Sequence, residues 1–229
     1  MDLLLEYREQ LLAGLVTTVQ LALASLVLSV TMGLLGAWAK LSASRAANAV
    51  AGAYTTVVRG VPDLVLIMLV FFGGQVTVNG LGAATGLWNY VEISQFAAGA
   101  LTIGIIFGAY FTETFRGAIL AIPRGQIEAG ISTGMSRPLL FRRIIWPQMV
   151  RYALPGFGNN WLVQLKTTAL VSVIGLQDLV YNAFAAGRST GALFTFMAAA
   201  FVIYLALTAV SDLGLRALER RYSRGVARA

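Results

Sequence analysis

The 229-residue sequence has no cysteine and no histidine. The first absence excludes a disulfide framework, and the two together exclude a Cys/His metal site. A Ser-His-Asp or Cys-His catalytic arrangement is excluded as well. Any chemistry would have to run on carboxylates, Lys or Tyr. Charge is scarce: 12% of residues are charged, where a soluble domain carries about 25%. There is no Gly-rich phosphate-binding loop ending in Lys-Ser/Thr, so the chain alone is not expected to hydrolyse ATP. Internal repeats, low-complexity segments and a polar linker between domains are also missing. The first residues, from Met1 through Glu6 and Glu9, are acidic where a signal peptide is basic, so none is expected.

What the chain has instead is apolar surface. Hydrophobic residues make up 58% of it, and its mean hydropathy is +0.75. No soluble core of this length could hide so much, so lipid is the expected solvent. A membrane helix needs about 20 mostly apolar residues. Five stretches qualify: about Leu11 to Trp38, Tyr54 to Val76, Phe96 to Phe115, Leu154 to Leu176 and Leu193 to Leu215. The expected fold is therefore an all-α membrane protein with five spans. Residues 1–10 form an outer segment, residues 11–215 the membrane domain, and residues 216–229 a basic tail. The loop from Thr77 to Ser94 is Gly- and Asn-rich with one charge, Glu92, and lies on the outer side.

Arginine and lysine set the orientation. Lys40 and Arg45 fall between spans one and two, with Arg59 at the start of span two. Arg116, Arg124, Arg137, Arg142, Arg143 and Arg151 fall between spans three and four, and Arg216, Arg220, Arg221, Arg224 and Arg228 follow span five. That face is read as cytoplasmic, which puts the N-terminus outside and the C-terminus inside. The net charge of +7 thus reads as topology and not as a nucleic-acid surface.

The loop from residue 116 to residue 153 carries its own pattern. Pro123 ends the extension of span three. Ile127, Ile131 and Met135 recur at helical spacing, and Gly134 permits a sharp turn. Ser136 and Pro138 are helix-start signals. Leu140/Ile144 and Phe141/Ile145 make a second stripe, which Pro147 is expected to stop. A short helix, a turn and a second short helix result, whose apolar stripe packs on the bundle or docks into another protein.

Glu128-Ala129-Gly130, Gly134, Ile144 and Pro147 stand at the spacing of the "EAA" loop of binding-protein-dependent ATP-binding-cassette importers, which this segment resembles. Gly130 replaces the second Ala and Trp146 replaces a Leu, and both keep the site small or apolar. Thr17-Thr18, Arg59-Gly60-Val61-Pro62, Arg116-Gly117-Ala118-Ile119 and Lys166-Thr167-Thr168-Ala169-Leu170 also resemble the polar-amino-acid branch of these permeases. Tyr110 to Gly117 and Leu218 to Ser223 are similar to the histidine, lysine-arginine-ornithine and opine permeases, nearest the Q-type subunit of the histidine importer. The resemblance spans essentially the whole chain. It implies five core helices and a cytoplasmic coupling helix in a bacterial inner membrane. It implies a homologous second permease, an ATPase dimer that binds ATP and Mg, and a periplasmic binding protein, with no cofactor in this chain. The implied function is import of basic amino acids or opines, with ATP hydrolysed by the partner.

Ionisable and polar groups within spans are functional candidates. Glu113 either pairs with Arg116, three residues on, or faces the pathway and receives a cationic amino acid, flanked by Tyr110 and Thr114. Asn160 and Gln164, one turn apart, are expected to line the pathway in a span loosened by Pro155, Gly156 and Gly158. Lys166 either bonds carbonyls of a broken helix, pairs with a partner's carboxylate, or meets the substrate carboxylate. Arg59, Pro62 and Asp63 form either a capped helix start with an i,i+4 charge pair or a gating hinge. Two rival functions remain. An ion-driven secondary transporter needs intramembrane acids and paired repeats, of which only Glu113 is present. A structural scaffold does not need the polar interior of span four.

Overall fold

The computed structural model describes residues 2–222. Arg224 and Arg228 of the basic tail lie outside the described residues. Among the described residues every regular element is helical: α1 (Asp2–Glu6), α2 (Arg8–Leu41), α3 (Arg45–Gly60), α4 (Asp63–Thr85), α5 (Gln95–Leu120), α6 (Arg124–Ser132), α7 (Arg137–Ile174), α8 (Leu179–Thr190) and α9 (Leu193–Tyr222). Helices α2, α4, α5 and α9 are each long and apolar enough to cross a membrane. Helices α7 and α8 form a pair bent by 52° that makes a fifth.

All five expected spans therefore have counterparts, but two boundaries move. Val61 is extended, with ψ 139°, because a proline ring excludes the α conformation from the residue before it. The helix consequently breaks at Val61-Pro62, Tyr54 belongs to the separate α3, and the second span runs to Thr85. The loop that follows, expected on the outer side, shrinks to residues 86–94. Gln75 and Asn79 of α4 hold it: Val91 N–H donates to Asn79 Oδ1 at 2.7 Å and Ile93 N–H to Gln75 Oε1 at 2.8 Å.

The fourth span begins earlier than expected. Pro147 does not stop a helix, and Pro155 does not break one. A proline lacks an N–H and crowds the carbonyl four residues back. For Pro147 that residue is Arg143, inside a π-helical turn at Phe141–Ile145, where the bonding is already one residue wider. Helix α7 narrows to a 3₁₀ turn only at Thr168–Ile174, and Gly175 ends it with φ +89°.

The central packing is α2 against α5. Without a hydrophobic force between helices in lipid, close approach must supply the attraction. A Cβ placed on Gly33 would lie 2.5 Å from Phe111 Cβ, and one on Gly104 would lie 2.7 Å from Leu28 Cβ. The hydroxyls along α2 are satisfied internally: Thr18 donates to Gly14 O at 2.9 Å and Ser29 to Ser25 O at 2.7 Å. Ile103, Ile106, Phe107 and Phe111 of α5 are fully enclosed. Helix α8, not anticipated from the sequence, closes the N-terminal end of α2. Its Leu179 N–H donates to Thr18 Oγ1 at 3.1 Å, and Asn182 Nδ2 donates to Gln10 O at 2.9 Å.

Candidate functional site: the loop at the bundle end and the polar face of the fourth span

Helix α6 and the first turns of α7 build the loop. Helix α6 ends in a reversal: Gly134 has φ +79°, and Met135 N–H donates to Gly130 O at 3.1 Å. This is the Schellman arrangement, which favours glycine. Gly134→Ala forces a side chain into the left-handed region, a cost of roughly 1–2 kcal/mol. The expected result is faster tryptic cleavage at Arg142 and Arg143, which no proline follows, with an unchanged melting temperature of the bundle; equal cleavage rates would refute the role of the turn.

The reversal folds α6 onto α7. Gly130 is buried, and a Cβ there would come 2.5 Å from Leu140 Cδ1 and 2.8 Å from Ile144 Cδ1. The glycine at this position is thus the room that Leu140 and Ile144 occupy. Glu128, Ala129 and Pro147 are exposed, and Ile144 is half-buried. The expected Ile127/Ile131/Met135 stripe does not pack as a unit, because Gly130 faces inward and leaves Ile131 60% exposed. Phe141 and Trp146 are exposed with ring centroids 6.0 Å apart. The outer surface of the loop therefore combines one acid, several arginines and uncovered apolar side chains.

Glu113 sits on α5 near the same end of the bundle. It pairs with Arg116 at 3.7 Å and, more closely, with Lys40 from the last turn of α2. Lys40 also donates to Thr55 Oγ1 of α3 at 2.6 Å. In the sequence Lys40 is only a topology signal, because 73 residues separate it from its partner. Arg59 and Asp63 do not pair among the described residues, since the break at Pro62 removes the helical i,i+4 geometry. Arg59 instead lies over the Tyr110 ring, 5.1 Å from its centroid.

Of the residues expected to line a pathway, Thr114 and Asn160 are brought together, while the Tyr110 ring lies under Arg59. Asn160 Nδ2 donates to Thr114 Oγ1 at 3.0 Å, and Thr114 donates to Tyr110 O at 3.2 Å. Gln164 is not with them. It is fully buried against α2, donating to Ser25 Oγ at 3.0 Å and Ser29 Oγ at 3.1 Å. Its Oε1 has no partner among the described residues. Gln164 and Asn160 are a turn apart, but 400° of helical rotation separates their directions enough to bury one.

The open face of α7 is a different stripe: Tyr152, Pro155, Asn159, Val163 and Lys166 are exposed at helical spacing. The Lys166 ammonium makes no ion pair or hydrogen bond with a described residue. Lipid cannot satisfy such a face, so protein or water must meet it.

Five spans, a loop that displays one acid beside apolar side chains, and a polar face without a partner define a membrane subunit built for assembly. Residues 29–224 match the family described as "Binding-protein-dependent transport system inner membrane component", and the chain belongs to that family. It is 51% identical over 219 residues to the histidine/lysine/arginine/ornithine transport system permease protein HisQ of Escherichia coli, covering 96% of each chain. It is 44% identical to the octopine transport system permease protein OccQ of Rhizobium radiobacter, covering 92% of this chain and 89% of the relative. A crystal structure of an amino acid ABC transporter with histidines superposes with a TM-score of 0.81 at 33% identity, covering 95% of this chain and 96% of that one.

Proposed function

We propose that this chain is a permease subunit of an ATP-driven importer of basic amino acids or opines. The relatives' substrates support that class. The observation that carries the coupling role is the exposed Glu128-Ala129 step over the Gly130–Leu140–Ile144 contact, a formed surface that no described residue covers. In this reading the Arg-rich end is cytoplasmic, the N-terminus is periplasmic, and residues 11–215 form one membrane domain. The partners are a homologous second permease, an ATPase dimer that holds ATP and Mg, and a periplasmic binding protein, all set in lipid. Neither a cofactor nor nucleic acid has a role in this chain. Transport proceeds by alternating access, with nucleotide-driven closure below moving the loop.

The stripe through Asn159 and Lys166 faces the second permease and the route between the two. Lys166 repels a cationic side chain and attracts the carboxylate that every amino acid carries. Glu113, held by Lys40 and Arg116, acts as a latch between α2 and α5 and not as the receptor for a cationic substrate. Lys166→Met is expected to lower uptake of all carried amino acids at least tenfold in a complex that still assembles. Loss of assembly would assign Lys166 to a partner's carboxylate instead. Glu113→Gln should reduce uptake of every carried amino acid by the same factor. A selective loss for the most cationic substrate would overturn the latch.

The decisive experiment reconstitutes the complex in vesicles with its ATPase and binding protein, and measures labelled arginine and histidine uptake. Uptake that requires internal-face ATP supports the importer. Uptake driven by an ion gradient without ATP would establish a secondary transporter.

A further inference from the structure

At the loop end of the bundle three cations meet one carboxylate. Lys40, Arg59 and Arg116 surround Glu113, and a cavity of about 470 Å³ opens among Lys40, Thr55, Thr56, Arg59, Tyr110 and Glu113. With three positive charges and one negative, the cluster carries a surplus of two. Lys40 is committed to Glu113 and Thr55, and Arg116 to Glu113. Arg59 is different. Its guanidinium sits over the Tyr110 ring, 5.1 Å from the centroid, and makes no ion pair or hydrogen bond with a described residue. Its guanidinium edge therefore keeps its donors for something else. The Thr56 hydroxyl, on the same wall, also lacks a partner among the described residues. Gly60 adds room, since a Cβ there would meet nothing within 4 Å.

Surplus positive charge with unused donors beside a membrane attracts anions, from the leaflet surface or from solution. The available donors are a planar arginine fork, already oriented by an aromatic ring, and a hydroxyl. That set suits a tetrahedral oxyanion, which accepts two parallel N–H bonds and one O–H bond. We propose that this cavity is a phosphate-binding site, filled by the headgroup of an anionic phospholipid or by free phosphate. The site stands apart from the open face of α7 and does not depend on which amino acid is carried.

The test uses the assembled complex, purified in detergent and stripped of lipid. Native mass spectrometry follows its titration with phosphatidylglycerol, with phosphatidylcholine as a zwitterionic control and inorganic phosphate as competitor. Arg59→Gln should weaken phosphatidylglycerol binding about tenfold, the effect of losing a charge-assisted pair of bonds. Thr56→Val, which leaves every charge in place, should weaken it severalfold. Phosphatidylglycerol binding that inorganic phosphate does not displace supports a headgroup source. Retention of inorganic phosphate, lost in both variants, supports a soluble source. Binding of both probes unchanged in the two variants overturns the site. A loss in Arg59→Gln alone reduces the effect to diffuse charge attraction and also overturns it.

Discussion

Glu128→Lys is expected to release the ATPase from the complex and to abolish uptake. Glu128 is exposed on α6 and is the only acid between Glu113 and Asp178. The surrounding segment holds Arg124, Arg137, Arg142 and Arg143. Reversal adds a fifth positive charge where the surface had one negative point, so any groove that recognises the acid now meets repulsion. Breaking one charge pair at an interface commonly costs about 2–5 kcal/mol, or roughly thirtyfold or more in affinity. Because Glu128 is exposed and its carboxylate makes no ion pair or hydrogen bond with a described residue, the variant should keep the wild-type melting temperature. Copurification of the ATPase at wild-type stoichiometry would remove the loop from its proposed role. Glu128→Gln offers an intermediate: the charge is lost but no repulsion is added, so partial release is expected.

The second large effect concerns assembly of the bundle itself. Gly33→Leu should prevent α2 from seating on α5. Even the first added carbon would lie 2.5 Å from Phe111 Cβ, with Phe115 Cε2 at 3.1 Å. The nearer atom belongs to the first carbon of a side chain and cannot swing aside, unlike the far end of a leucine. Phe111 is fully enclosed, so the helices must separate. Overpacking of a well-filled core typically costs about 1–3 kcal/mol, and here the displaced element is a whole span. The melting temperature of the purified complex should fall sharply, with loss of membrane-inserted protein on expression. Gly117→Leu, where an added Cβ meets nothing within 4 Å, is the matched control and should leave stability unchanged. Equal behaviour of the two variants would show that the α2–α5 contact is not limiting.

Much of the fold was legible because lipid imposes long apolar runs, and runs are local. The spans now called α2, α5 and α9 could be read from hydropathy alone. The errors fall where a local rule met a longer-range one. Pro62 and Pro147 carry the same signal in a sequence, yet one breaks a helix and the other does not. What differs is the π turn before Pro147, which hydropathy does not encode. Helix α8 escaped notice because it is short and its apolar content merges with the stretch around it; Asp178, which accepts from Tyr181 N–H at 2.8 Å as the N-cap, was its available signal. At the candidate sites, spacing identified the loop residues and their order. It could not show that Gly130 is the seat for Leu140 and Ile144. Nor could it pair Lys40 with Glu113, since nothing local ties residues so far apart. The choice of Asn160 and Gln164 as a lining pair failed for Gln164 because two serines of α2 claim its amide.

One consequence follows from the unbroken course of α7. The segment from Arg137, beside the loop's reversal, to Lys166 is helical throughout, a rod of about 44 Å at 1.5 Å per residue. Only the π turn at Phe141–Ile145 and Pro155 interrupt its regular bonding, and neither ends the helix before the 3₁₀ turn at Thr168–Ile174. In the proposed importer, a stroke of the nucleotide cycle applied at the loop would therefore reach the open face of the fourth span as a tilt of one helix.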